Sequence, residues 1–281
     1  MDTASVQDVI AEVAAAEIMP RFRRLAATDI HMKGVNDPVT VADRAMEAAL
    51  TKRLTAAFPG SVVIGEERFA EDPAILSRFD GEADVWVVDP IDGTRNFIAG
   101  KPEFGVMVAL VRRRKTIAAW IHDPSSGDTL MAERGGGVWL RGEKLRLAGR
   151  DASVPQVCLV GPRLKEKLSR PELAEVSRQL PSLEAASAAA FDYGRLFTGD
   201  VLFAGGGASR VAYLLFRQSK PWDHVPGLLM LAEAGGYAAD FSGKPYDMRA
   251  GQGGLLIAPD RASWRTVFDV FEPFVNKRSA A

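Results

Sequence analysis

The stretch that decides the fold runs from Trp86 to Phe97, "WVVDPIDGTRNF". An apolar, β-branched run closes on Asp89, a second aspartate follows at Asp92, and Gly93 and Thr94 come directly after it. A buried strand gains nothing by ending in two charges, because an unpaired carboxylate taken out of water is costly. The pattern therefore asks for something positive at the end of the strand.

Pro90 fixes the backbone just past Asp89, and a tight Pro-Ile-Asp-Gly turn folds Asp92 back toward it. Two anions held that close repel unless a cation lies between them or one takes up a proton. Oxygen donors with no His or Cys nearby favour a hard ion, Mg²⁺ or Mn²⁺ before Zn²⁺. Gly93, Thr94 and Arg95 read as the start of a helix, where free backbone N–H groups favour a phosphate. The plainer alternative is that Asp92 caps a helix and Asp89 opens a turn.

Outward from this stretch, Val6, Val9, Ile10, Val13 and Ile18 share one helical face and predict an amphipathic helix from residue 3 to about 26. A second helix is predicted over "VTVADRAMEAALTKRL", opened by Thr40 or Asp43 and closed by Pro59 and Gly60. Apolar runs bounded by turn residues then predict strands at "SVVIG", "VWVVD", "FGVMVALV", "TIAAWIH" and "TLMAE". Between two of them, "RRRK" (residues 112–115) reads as a solvated hairpin tip, since no aromatics interleave it as in a nucleic-acid patch. Past about residue 150 strands become fewer and helices return, at "HVPGLLMLAEAGG" and after "GLLIAP". Two lobes are expected, residues 1–150 and 151–281, divided near Ala148 to Pro155. "AGGGAS" (residues 204–209) lacks the spacing of a dinucleotide fingerprint and reads as a flexible turn.

Composition sets broad limits. With 47% hydrophobic and 25% charged residues, the 281-residue chain is of ordinary globular make-up. A formal charge of -1 gives no general pull toward nucleic acid or anionic membrane. The one cysteine, Cys158 in "VCLVG", reads as a core thiol and suits a reducing cytoplasm. Asp2, Asp8 and Glu12 stand where a basic leader segment would be, and no run nears the roughly 18 apolar residues of a membrane span. A soluble, cytoplasmic protein is expected.

Two more acids repeat the device of a carboxylate beside an apolar element: Glu66 in "VVIGEER" and Asp223 in "KPWDHVPG". At this point the chain resembles the inositol monophosphatase-like family of metal-dependent phosphomonoesterases. The motifs "DPVTVAD" (37–43), "GEE" (65–67), "WVVDPIDGTRNF" (86–97), "WDH" (222–224) and "EAGG" (233–236) match in order. The resemblance implies an α/β (α+β) fold, the layered α-β-α-β-α sandwich of inositol monophosphatase and fructose bisphosphatase. The N-terminal lobe would carry most metal ligands and the C-terminal lobe would complete the site.

The resemblance also implies roles for particular residues. Glu66, Asp89 and the carbonyl of Ile91 would bind one Mg²⁺, and Asp89, Asp92 and Asp223 a second. Asp89 would bridge, and a third, weaker ion is expected near Glu66. Gly93 and Thr94 would contact phosphate or nucleophile, and Asp43 with Thr94 would orient the attacking water, making Glu66, Thr94 and Asp43 the catalytic group. These residue types suit a reaction in which an anionic nucleophile must approach an anionic phosphorus. His31, His122 and His224 are scattered, and His224 reads as a structural neighbour of Asp223.

The expected partner is a small phosphorylated metabolite, with no nucleic acid and no membrane. Family members that prefer inositol phosphate carry an acid seven residues before the aspartate of the WD motif; here that position is Phe216. Ser187 in "ASAAA" and Arg217 are the candidate substrate contacts in this region. Histidinol phosphate, a sugar bisphosphate or a nucleotide phosphate are thus alternatives to inositol phosphate, and an interaction role without catalysis is the remote one. A homodimer is expected, with the region near 157–161 and "FGVMVALV" offering surface for it.

Overall fold

The computed structural model describes residues 2–147, 156–198, 211–216, 219–249 and 254–276. The expected border at Ala148 to Pro155, the "AGGGAS" turn and Arg217 lie outside them. By its internal contacts the chain divides into two compact units. The first comprises Met1–Lys144, Ala188–Phe191 and Pro221–Met230, and the second the remainder. The second half of the chain therefore supplies two segments to the first unit, which a single border near residue 150 does not express.

The first helix, α1 (Thr3–Glu17), has Asp2 as its cap, whose side chain accepts from the Ala4 N–H. It stops well short of the expected residue 26, because Pro20 lacks the N–H that would continue the ladder. Next comes a hairpin that the sequence patterning did not disclose, β1 (Ile30–Gly34) paired antiparallel with β2 (Asp37–Thr40). It leads into α2 (Val41–Ala57), which opens on a capping box: Thr40 accepts from Ala42 N, and Asp43 Oδ2 accepts from the Thr40 N–H at 2.8 Å.

β3 (Val62–Gly65) runs into α3 (Glu66–Glu71), and β4 (Val85–Asp92) into the short α4 (Thr94–Ile98). β5 (Gly105–Arg112), β6 (Lys115–Asp123), β7 (Asp128–Glu133), β8 (Gly137–Leu140) and β9 (Glu143–Leu145) complete a seven-stranded sheet in the order β3 to β9. β3 and β4 are parallel, and the ladders from β4 through β8 are antiparallel. Arg113 and Arg114 form the tip between β5 and β6 with φ of 47° and 61°, as a two-residue hairpin turn requires. The core on this sheet is rich in aromatics: Trp86, Trp120, Phe97 and Phe104 are fully buried, with Phe58 and Trp86 centroids 5.1 Å apart. Burying each such side chain stabilises the fold by about 1.5–3 kcal/mol.

The second sheet is built from β10 (Val157–Val160), followed by α5 (Pro162–Leu168) and α6 (Ala174–Gln179), and from β11 (Ser182–Ala185). After α7 (Ala189–Thr198) come β12 (Val211–Phe216), α8 (Pro221–Glu233), β13 (Tyr237–Asp240), β14 (Leu255–Ala258) and α9 (Arg261–Asn276). The strand order is β11-β10-β12-β14-β13, parallel among the first three and antiparallel where β14 joins. Cys158, Leu215, Leu256, Trp264 and Phe268 lie in its core, and burial pushes the Cys158 thiol up to about 12. β10 is buried throughout, as is β5 up to Val111. The segments expected to offer surface for a dimer are thus buried within the chain. Among the described residues no helix is long and apolar enough to cross a membrane.

Candidate active site

Asp89 and Asp92 are three residues apart on one strand, and in a regular strand that odd spacing sends them to opposite faces. β4 does not end at Asp89 as its sequence suggests, but continues to Asp92 through a bulge. Asp89 pairs with Met107 and Asp92 with Gly105, so three steps on β4 oppose two on β5. The extra residue restores the face. Trp86, Val88 and Ile91 accordingly go together into the aromatic core, while Asp89 and Asp92 come together away from it. The third member arrives from the other half of the chain. Asp223 is the third residue of α8, and its neighbour Trp222 packs on Phe69 of α3 with ring centroids 4.9 Å apart.

Carboxylate oxygens of Asp89, Asp92 and Asp223 all lie within 4.8 Å of one another. Asp89 is buried, and its Oδ1 has no hydrogen-bond partner. Burial, and after it Glu66, Asp92, Asp223 and Asp43, raises the Asp89 carboxyl well above its ordinary range. Asp92 rises to about 6, again chiefly through burial, although the backbone N–H groups of Ala190 and Ala189 hold it down in part; the Ala190 bond is 2.6 Å. An orphaned buried oxygen among converging all-oxygen donors fits a hard divalent cation.

Around this cluster the chain places a hydroxyl and a second acid. Gly93 caps α4 in the left-handed region at φ 85°, and a Cβ there would meet both Ala188 Cβ and the Glu103 carbonyl at 2.9 Å. Beyond this turn, Thr94 Oγ1 lies 3.2 Å from Asp43 Oδ1 and 3.0 Å from the Ile91 carbonyl oxygen. Asp43, which caps α2 with its other oxygen, is buried, and burial raises it to about 6.

Glu66 opens α3 and stands apart from the three-aspartate group, although it is among the charges that raise Asp89, Asp92 and Asp43. Its Oε1 accepts a 2.7 Å bond from Lys33 Nζ, which also reaches Glu67 Oε1 at 2.7 Å. Burial alone would lower the Lys33 ammonium, but the two glutamates outweigh it and hold the pKa above its ordinary value. Sequence reading passed over Lys33, since a lysine on a polar hairpin carries no mark of a partner 33 residues away. Ser187 belongs to the second unit, where its N–H donates to Asp192 Oδ1 at 3.1 Å. His224 is buried in α8, and His122 is a core residue bonded to Thr129 Oγ1, with burial lowering it to about 4.

Converging carboxylates beside a carboxylate-bound hydroxyl are the equipment of a phosphate-ester hydrolase. The chain belongs to the inositol monophosphatase family, whose model matches residues 2–267, and like its members it is a phosphatase. An inositol-1-monophosphatase of Rhizobium meliloti is 31% identical over 234 residues, 82% of each chain. A protein of Haemophilus influenzae named Nus factor SuhB is 28% identical over 87% of this chain and 86% of its own. An IMPase structure from Thermotoga maritima superimposes with a TM-score of 0.74 at 26% identity, covering 97% of this chain and 99% of that one. Mixed helices and sheets of the inositol monophosphatase type are therefore the fold.

Proposed function

We propose that this phosphatase hydrolyses a small phosphate monoester with Mg²⁺ as its cofactor, with Mn²⁺ an effective substitute. The observation that carries the reading is the buried, partnerless Asp89 Oδ1 within a three-carboxylate cluster. In this reading Glu66, Asp89 and the Ile91 carbonyl would hold one ion, Asp89, Asp92 and Asp223 a second, and Glu66 would lie near a weaker third. Bound divalent cations supply positive charge to the phosphoryl oxygens and lower the pKa of a water.

The protein's own part is positioning and proton handling. A hydroxyl has a single proton, so Thr94 donates to Asp43 or to the Ile91 carbonyl and keeps its lone pairs for the proton of an attacking water. Asp43 is fixed by the capping box and can accept the proton Thr94 passes on. Gly93 and Thr94 are the proposed phosphate contacts, although in the metal-free fold the Gly93 N–H is turned to the Asp92 carboxylate. Ser187 and Arg217 are the remaining candidate contacts for the ester's other end.

The substrate is best sought away from inositol. Phe216, which ends β12 and stacks on Tyr193 with centroids 6.2 Å apart, offers no acceptor for ring hydroxyls. Histidinol phosphate, sugar phosphates and nucleotide phosphates are the preferred candidates. A role in assembly, prompted by relatives named Nus factor, is a second reading that the intact acids disfavour as the sole function. We place the protein in the cytoplasm, where a reduced Cys158 belongs, and as a homodimer by family likeness alone. A panel of phosphate monoesters, assayed for phosphate release with Mg²⁺ and with excess chelator, tests the proposal; turnover undiminished by chelator overturns it.

A further inference from the structure

Glu47 lies on α2, buried, and its carboxylate is spent on the backbone at the start of α3. Oε2 accepts from the Glu67 N–H at 2.8 Å and Oε1 from the Arg68 N–H at 2.9 Å. The carboxyl group also lies against Gly65, where a Cβ would come within 2.2 Å of Cδ, 2.3 Å of Oε2 and 2.6 Å of Oε1. Glu66 is thus bracketed on both sides by one side chain, seated on the residue before it and bonded to the two residues after it. α3 has no cap of its own, since Gly65 supplies no side-chain bond.

Satisfying the free N–H groups of a helix start does not require this arrangement. A Ser or Asn at position 65 would do so locally and without charge. Instead a carboxylate is brought from another helix, 20 residues away in sequence, beside Glu66 and Glu67, and burial and the Glu66 charge there outweigh the help of Lys33. Burying a further acid among acids disfavours folding. What it secures in return is the direction of the Glu66 peptide, and so of the Glu66 carboxyl.

We infer that Glu47 is a positioning residue that aims Glu66 at the cation, with Gly65 as its obligatory partner. The inference rests on the reading of Glu66 as a metal ligand. Residues behind a ligand typically change metal affinity by about 10- to 100-fold when altered. Three variants separate position from charge. Glu47→Gln keeps the shape and one acceptor but turns an amide NH2, itself a donor, toward the other N–H. Glu47→Asp keeps the charge and draws it back by one methylene. Gly65→Ala leaves Glu47 in place chemically and pushes it off its seat.

Mg²⁺ and Mn²⁺ affinities of the full chain, measured by calorimetry on chelator-treated protein, decide the matter, with thermal melts in chelator to show that each variant is folded. All three variants are expected to weaken cation binding by about 10-fold. Wild-type affinity in Glu47→Asp, with loss only in Glu47→Gln, overturns the inference in favour of a charge effect. Wild-type affinity in all three, while Glu66→Ala binds weakly, overturns it and leaves the ligand reading standing. Wild-type affinity in Glu66→Ala removes that reading and the inference with it.

Discussion

The Thr94 hydroxyl lies 3.2 Å from Oδ1 of Asp43, a residue 51 positions earlier whose Oδ2 caps the start of α2. One carboxylate therefore joins the frame of the first unit to the nucleophile's proposed position. Thr94→Ala is expected to lower kcat by about 10²- to 10⁴-fold, the range for losing a positioned proton acceptor. Thr94→Ser should retain most of it. Asp43→Asn should match the loss in kcat. Steady-state kinetics on an aryl phosphate, with melting curves, check this; a Thr94→Ala enzyme within a few-fold of wild type rules out the relay.

Removing Asp89 should be the most damaging of the carboxylate changes, since it alone is assigned to both ions. Asp89→Asn is expected to lose the rise in melting temperature produced by Mg²⁺, and nearly all turnover. The metal-free variant should melt higher than metal-free wild type, because a buried carboxylate with one unbonded oxygen, crowded by Glu66, Asp92 and Asp223, has been neutralised. Activity near wild type would show that the bridging ligand lies elsewhere.

Stabilisation by Mg²⁺ should grow with pH. Burial is the first cause that raises Asp43 and Asp92 from 3.8 to about 6 in the metal-free fold, and Asp89 rises too. For raised carboxylates the stability gained is fully present below the ordinary pKa and is lost as pH rises through the folded one. Cation binding needs the ionised forms, so it recovers over the same window what the metal-free fold loses. The Mg²⁺-induced shift in melting temperature is expected to be several degrees larger at about pH 8 than at about pH 5.5. Taking the difference at each pH cancels remote groups such as His122. A shift that is flat or shrinks with pH contradicts the assignment.

Phe216→Glu tests the substrate reading. Restoring an acceptor at this position should raise kcat/KM for inositol 1-phosphate about 10- to 100-fold relative to an aryl phosphate, the worth of one or two hydrogen bonds. The aryl phosphate rate itself should change little. If wild-type enzyme already prefers inositol 1-phosphate by an order of magnitude, another residue supplies the acceptor.

Much of this was legible in the residues because it is local. The start of α2 near Thr40 and Asp43, the Arg113–Arg114 hairpin tip and the central strands follow from short patterns that tertiary contacts only reinforce. The motifs carrying Asp89, Asp92 and Asp223 announced themselves as acids in apolar surroundings. What escaped notice depends on pairings across the chain. The β1–β2 hairpin is short: only Ile30 to Lys33 alternates, and Pro38 interrupts the pattern in β2. Glu47 looks like any solvated helical acid until α3 is placed against it. The end of α1 was readable, since the apolar periodicity stops at Ile18 and Pro20 stands just beyond it.

The bulge in β4 carries a consequence for how the chain tolerates change. Because Asp89 and Asp92 share a face only through one surplus residue, the centre is encoded in strand length as well as in side chains. Deleting Ile91 would leave every acid present and, two steps apart on a regular strand, both aspartates still on one face. Yet it would take away the residue that anchors the turn, whose side chain is buried and whose carbonyl oxygen lies 3.0 Å from Thr94 Oγ1. Relatives compared by acids alone would then be judged intact while having lost the geometry. The spacing between the two aspartates is itself a functional letter of this sequence.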